Sequence, residues 1–395
     1  MVTVTAPSVT QQAEGTRLQA AVTSGGATYD LWYETSFRVS SAFAEPFLLP
    51  ALLVGMAANE SVEVLAPISP LLMERLPEFQ RILTTWHPWL HRVDVWAPAT
   101  SPTPRTLPAR RAAFFSGGVD SFATLLRHRS ELSALILVRG SEIDVSNDAL
   151  WSLARTGCQQ AADELGMELL TVTTNVRGLA SRAGDWNLVG HGIGFASVGL
   201  LLQMAFETIY LATSMSGAEI YPWGSHPLLD PLLGTEHTRF VHDGLEFSRY
   251  QKLEFIADND VAMRHLRFCN LQTGAYNCGS CEKCLRTAVA LHLAGALGKC
   301  QTLPYSTLPM DLLRELWIPG VECLAYLREN IKIARRAGAN DVAELLESAL
   351  WRFELRQTAS RLGSLLKGAK SSRLMAYSRR RVRRLIGRAL TPLGF

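Results

Sequence analysis

Apolar and polar positions alternate along this chain with two periods, one near two and one near 3.6, and the changeovers mark its elements. "YDLWYETSFRVS" (29–40) alternates as a strand does, "AFAEPFLLPALLVGMAA" (42–58) has the continuous apolar character of a buried helix, and "SVEVLAPIS" (61–69) reads as a second strand. A helix over "LLMERLPEFQRILTTW" and a strand over "HRVDVWAP" complete an expected α/β unit at 29–98. Residues 1–28 are rich in Thr, Ser, Gln and Ala without a clear period, and predict a loose terminus. The proline-rich stretch "APATSPTPRTLPAR" predicts a linker at 99–109.

Beyond the linker the alternation is more regular. Strand-like "AAFF", "ALILV", "ELLTVTTNV" and "TIYLATS" are separated by helical segments at 119–129, 147–165 and 192–206. Helices between strands imply crossover connections and a parallel sheet, so 110–300 is expected to be a doubly wound α/β domain. "PMDLLRELW", "VECLAYLRENIKIARRAG" and "DVAELLESALWRFELRQ" then show helical spacing and predict a helical region at 301–360.

Composition adds scale and one asymmetry. The 395 residues, 48% of them hydrophobic, suffice for two or three structural units around a large core. The N-terminus lacks the basic start and apolar run of a signal peptide, which makes the cytoplasm the expected location. The longest uncharged run, Trp186 to Phe206, contains Asn187, His191, Gln203 and four glycines, and reads as a loop and a buried helix rather than a membrane span. The net charge is +3, but residues 361–395 hold ten Lys or Arg and no acid; removing those ten leaves the body at −7. Within that tail "RRRVRRLIGRAL" spaces apolar residues helically among arginines, which suits an anionic membrane, nucleic acid, the acidic body or plain solvation.

Candidate chemistry sits at two places. "SGGVDS" (116–121) follows the first strand of the 110–300 domain and opens a helix. Gly117 and Gly118 let backbone N–H groups approach an anion at the helix N-terminus, with the Ser116 and Ser121 hydroxyls as further donors. Asp120 is out of place in a bare phosphate cradle and points to Mg²⁺ beside the phosphate. A P-loop lysine is absent, and "GHGIGF" lacks the third glycine of a dinucleotide fingerprint because Phe195 stands there. The second place is "CNLQTGAYNCGSCEKC": Cys269, Cys278, Cys281 and Cys284 are four soft ligands suited to a closed tetrahedral zinc site. An iron–sulfur cluster uses similar spacing, but Leu285 stands where the ferredoxin run has proline. Cys158, Cys300 and Cys323 are isolated and read as packing residues.

"SGGVDS" after a strand resembles the signature of the PP-loop, or N-type, ATP pyrophosphatases, whose core is the adenine nucleotide alpha hydrolase-like sheet. With the cysteine knuckle and Arg286 after it, residues 110–298 are similar to the 7-cyano-7-deazaguanine synthases within that superfamily. The resemblance implies ATP and Mg²⁺ as cofactors, ATP binding by Ser116, Gly117, Gly118, Val119, Asp120 and Ser121, and catalytic roles for Asp120 and Lys252. "SRYQKLEFIA" resembles the family's K-x-E-I segment, which implies Lys252 or Arg249 near the phosphates or the adenylate. Where the family carries an Arg-Asn pair this chain has His191 and Gly192, and "SGAEIYPWGSHPLLDP" replaces its substrate loop. His191, Trp223, His226, Asp230 and Arg249 are therefore expected around a pocket of different shape, with a merely buried His191 as the alternative. The N-terminal unit and the helical C-terminus are extra to the family.

The expected activity is ATP-dependent adenylation of a substrate carboxylate or amide, releasing pyrophosphate, followed by attack of ammonia or an amine. The carboxylate is expected on a small molecule or a protein, and a homodimer is a further expectation. A tRNA-modifying thiolase is the alternative enzyme, with Cys158 the one unclustered cysteine in the α/β core, and a non-catalytic nucleotide-binding module is the third reading.

Overall fold

The computed structural model describes residues 1–41, 43–98, 108 and 110–368, with side chains described as far as 361. The expected linker falls almost entirely, and the basic tail largely, outside these residues. In chain order the strands and helices are β1 (Val2–Val4), β2 (Ser8–Gln12), β3 (Gly15–Ser24), β4 (Ala27–Thr35), α1 (Glu45–Ala58), β5 (Val62–Val64), α2 (Pro70–Trp86), β6 (Val95–Trp96), β7 (Arg111–Phe114), α3 (Val119–Arg127), β8 (Ala134–Arg139), α4 (Asp148–Leu165), β9 (Glu168–Thr174) and α5 (Val176–Ala180). There follow α6 (His191–Leu201), β10 (Thr208–Ala212), β11 (Arg239–Asp243), α7 (Arg249–Ile256), α8 (Asp260–His265), α9 (Glu282–Leu293), α10 (Met310–Arg314), α11 (Leu324–Arg336) and α12 (Asn340–Gly368).

Among the described residues all eleven strands join one sheet in the order β11-β10-β7-β8-β9-β4-β3-β1-β5-β6, with β2 on β3. Six of the ten pairings are parallel, so the sheet is mostly parallel, and the antiparallel ones lie in its N-terminal part and at the β4–β9 seam. At that seam Tyr33 pairs with Thr174 and Thr35 with Val172. Residues 1–309 therefore form one compact unit, where the sequence suggests two α/β units joined by a linker. The expected loose terminus is corrected as well: residues 1–28 supply β1, β2 and β3 and bury Val2, Val4, Leu18 and Val22. Most of their Thr, Ser and Gln face outward, Thr16 being buried, on strands that include partners distant in sequence, such as β5 for β1, and that pairing stabilises them.

Alternate residues of the strands serve two cores. Ala112, Phe114, Ile136, Val138, Ile209 and Leu211 pack with α1 and α6 on one face. Ala113, Phe115, Leu135, Leu137 and Tyr210 pack with α3, α4, α7 and α9 on the other. A strand buried on both faces reads as a continuous apolar run, which is why β7, β8 and β10 are plain in the sequence. The apolar stretch 186–206 becomes a π-helical turn at Trp186–Gly190 followed by α6. No helix among the described residues is long and apolar enough to cross a membrane. The second compact unit begins at Met310; its described part is helical, with Leu313, Leu327, Val342, Leu346 and Phe353 buried.

Candidate functional site

Because β7, β8, β10 and β11 run parallel, their carboxyl ends share one edge of the sheet, and that edge gathers the predicted loop with residues from four other segments. The loop turns at Gly117, whose φ of 74° is in the left-handed region. Gly118 is extended and begins α3 with no side chain capping the helix. The amides of the first turn of α3 thus face the loop mouth without a side-chain partner, the local requirement for holding an anion. The serines divide the work differently from the expectation that both hydroxyls serve a ligand. The buried Ser121 hydroxyl donates to the Gly118 carbonyl (3.0 Å) and accepts from the Ser116 N–H (3.4 Å), which ties the loop to itself. Val119 is fully buried and anchors the helix start.

Asp120 lies between cations. Arg249 donates to its Oδ2, Lys252 Nζ is 3.9 Å from its Oδ1, and that Oδ1 is buried without a hydrogen-bond partner. Arg249 and Lys252 stand three residues apart on α7, whose start is fixed by a reciprocal Ser248–Gln251 capping box, so both face α3. Lys252 is 3% exposed and also donates to the Thr213 carbonyl at 2.7 Å. Burial opposes ionisation of Asp120, yet Arg249, Lys252 and Lys283 hold its carboxyl below the usual value. Burial lowers the Lys252 ammonium, and Asp120 acts against that shift. A buried carboxylate oxygen with no donor fits a small oxygen-seeking cation such as Mg²⁺.

Sequence reasoning missed three members of this cluster. Arg267, 4% exposed, donates its backbone N–H to the Gly117 carbonyl (2.7 Å), and its side-chain Nε is buried without a partner. Lys283 sits between the last two clustered cysteines, and Glu142 follows β8. Glu142 is exposed, and although partial desolvation disfavours its charge, Lys283, Arg267 and His191 more than offset this and lower its pKa. Burial lowers the Lys283 ammonium, opposed by Glu142. The one local signal was the pair of charges inside "CEKC", where a simple metal knuckle needs neither.

The predicted pocket residues divide. Asp230 is 1% exposed and accepts from the Ser225 hydroxyl (2.7 Å) and the His226 N–H (3.2 Å), while its Oδ2 pairs with His242 Nδ1 at 2.7 Å. His242, at the end of β11, was not foreseen. His226 packs edge-on against Trp86 and its Nδ1 accepts from the Leu228 N–H, so it and Asp230 organise the loop. Trp223 is half-buried and packs edge-on against Tyr221. His191 opens α6; its Nδ1 is buried without a partner, and burial lowers its pKa against the pull of Glu142 and Asp230. A Cβ at Gly192 would lie 2.2 Å from the Gly224 carbonyl oxygen, so α6 begins in direct contact with the loop that carries Asp230. Arg249 belongs with Asp120 rather than with this group.

The four clustered cysteines converge: their sulfurs lie within 4.8 Å of one another, with Cys269 to Cys281 at 3.8 Å and Cys278 to Cys284 at 3.7 Å. Gly279 makes the knuckle turn at φ 76°, and the Cys281 N–H points at the Cys278 sulfur (3.3 Å). The buried Asn277 brings in the distant ligand, accepting from the Phe268 and Cys269 N–H groups (3.0 Å each) and donating to the Leu266 carbonyl (2.9 Å). Hydrogen bonding among the clustered sulfurs lowers the pKa of the Cys269 thiol and raises those of Cys281 and Cys284. Four sulfurs at this range with no oxygen or nitrogen ligand fit a soft tetrahedral ion, and can hold zinc. Cys158 is buried against Gly117, and burial pushes its thiol up to about 12. Cys300 and Cys323 are buried as expected of packing residues.

No family model, curated protein or solved structure matches this chain.

Proposed function

We propose that this chain is an ATP-dependent carbon–nitrogen ligase forming AMP and pyrophosphate, on a doubly wound core of the PP-loop ATP pyrophosphatase type. The observation that carries this reading is the meeting of the uncapped α3 amides with Asp120, Arg249, Lys252, Arg267 and Lys283 at one edge of the sheet. Strand order supports it. From β7 the chain passes through α3 to β8 on one side, and from β9 it returns through α6 to β10 on the other. The loop after β7 therefore lies at a switch in connection direction, where open α/β sheets bind ligands.

In the proposed reaction a carboxylate oxygen of the acceptor attacks the α phosphorus, the bond to the bridging oxygen breaks, and pyrophosphate leaves with the electron pair. The α3 amides hold the departing group, and Arg249 and Lys252 oppose the negative charge growing on it. Asp120 positions both cations, and its carboxylate, whose Oδ1 accepts no hydrogen bond, would help hold Mg²⁺, which when bound would neutralise phosphate charge. Ammonia or an amine then attacks the acyl adenylate, the carbon–nitrogen bond forms and AMP departs. The acceptor is proposed to lie toward His191 and the Trp223–Asp230 loop. Zinc is the proposed structural ion of the cysteine cluster, and the free state of the seven cysteines suits a cytoplasmic setting. The basic residues 361–395 are the proposed contact to nucleic acid or an anionic membrane.

The buried, high-pKa Cys158 weighs against a thiolase, which needs an accessible thiolate. The test is product analysis: with ATP, Mg²⁺ and cell extract as the acceptor source, wild type releases AMP and pyrophosphate, and Asp120→Ala abolishes the release. ADP as the product would overturn the reaction type, and bound but intact ATP would make the protein a binding module.

A further inference from the structure

We infer that the cysteine cluster and the glycine loop form one coupled device, in which metal held by Cys269, Cys278, Cys281 and Cys284 fixes Arg267 and Lys283 as cations for a pyrophosphate group. The inference rests on the reading of the loop as a polyphosphate site and adds to it the source of the remaining positive charge and the way that charge is controlled.

Arg267 precedes the first cysteine of the cluster by two residues, and its main chain is bonded to the loop itself through the Gly117 carbonyl at 2.7 Å. A Cβ on Gly117 would touch the Arg267 Cβ at 3.4 Å, so side chain and loop are in contact. Its guanidinium Nε is buried without a hydrogen-bond partner. A buried guanidinium donor left unsatisfied is costly unless a ligand completes it, and guanidinium is suited to phosphate oxygens. Lys283 stands between Cys281 and Cys284 in the first turn of α9, and α9 packs on α7, the helix of Arg249 and Lys252.

Lys283 is thus bracketed by two of the clustered cysteines, and Arg267 lies two residues before a third. Cys269 lies in the 266–269 segment and the other three cysteines in the knuckle that opens α9; Asn277 ties the two through the backbone. A metal joining Cys269 to Cys281 and Cys284 locks the same two pieces through their side chains. Metal binding therefore orders the anion site, and by reciprocity an anion on Arg267 and Lys283 tightens the metal by the same factor.

The experiment titrates inorganic pyrophosphate calorimetrically into full-length protein, zinc-loaded and chelator-stripped, for wild type, Arg267→Met, Lys283→Met, Arg267→Lys and Lys283→Arg. Stripping, and each Met substitution in loaded protein, is expected to weaken pyrophosphate about tenfold or more, the size of a lost charged hydrogen bond, with metal content unchanged in the Met variants. The Lys and Arg swaps retain part of the affinity. Pyrophosphate is also expected to tighten zinc in wild type but not in Arg267→Met. Equal pyrophosphate affinity with and without metal in folded protein overturns the coupling, as do Met variants that bind like wild type. If stripping unfolds the protein, the zinc titrations decide, and a zinc affinity indifferent to pyrophosphate overturns it. AMP formation without this coupling sinks the inference alone, whereas coupled pyrophosphate binding with no AMP from ATP sinks the ligase reading alone.

Discussion

Gly117 and Cys158 are neighbours, a Cβ on Gly117 falling 3.5 Å from the Cys158 sulfur, and they illustrate opposite kinds of constraint. Gly117 is held at φ 74°, a region that costs an L residue about 1–2 kcal/mol, so Gly117→Ala is expected to lower stability by about that amount and to disturb the loop. Thermal melting and AMP release measure the two effects. Cys158 packs beneath the loop with its thiol pushed up to about 12 from 9.0, which predicts retained AMP formation in Cys158→Ala and no labelling of this thiol by alkylating reagent in native protein at pH 8. The sign of its pH effect follows. The folded value lies above the unfolded one, so the stability from keeping this thiol neutral is complete below pH 9 and is lost as the pH rises toward 12. Cys158→Ala should flatten that alkaline loss in denaturant titrations. The loop residues were legible because glycines, serines and an aspartate between a strand and a helix form a local pattern. Arg267, Glu142 and His242 were not, because each is an isolated polar residue in its own stretch and gains meaning only from neighbours far along the chain.

At the level of elements, α7 and α9 bring charge to the loop, and each has a distinct device fixing its start. For α7 it is the Ser248–Gln251 capping box, while α9 begins at Cys281 within the cysteine cluster. Loss of the cluster's metal is therefore expected to loosen residues 266–293 before the rest of the sheet. Chelation should raise amide hydrogen exchange in that segment and lower the melting temperature in a way that depends on free zinc, whereas β7 and β8 keep their protection. Cys278→Ser should reproduce the chelated state, and unchanged exchange at 266–293 would show the metal to be dispensable for α9. The knuckle was readable because three of its ligands recur every three residues. Its fourth ligand was readable only as a nearby cysteine, and the role of Asn277 in delivering it needed the tertiary contact.

Over the whole molecule, the seam between β4 and β9 decides how residues 1–98 and 110–309 relate. It continues the sheet, and α1 covers the face that α6 also covers, so the N-terminal residues complete the core rather than append a domain. Residues 1–309 are accordingly expected to melt in a single transition, and a chain cut to 108–309 to aggregate, since it bares the β9 edge and the apolar face left by α1. Two well-separated transitions within 1–309, or a stable soluble 108–309 fragment, would contradict this. Sequence alone determined the alternation of elements from β7 onward, the glycine loop and the cluster of four cysteines able to hold a metal, because period, turn chemistry and ligand spacing are local properties of a chain. Only the tertiary structure decided that residues 1–28 contribute three strands, that one sheet spans both halves, and that cations from α7, α9 and the 267 segment gather at the glycine loop and its neighbouring carboxylates, Asp120 and Glu142. Those outcomes depend on strand order and long-range pairing, where many arrangements satisfy the same local pattern and burial in a shared core selects among them.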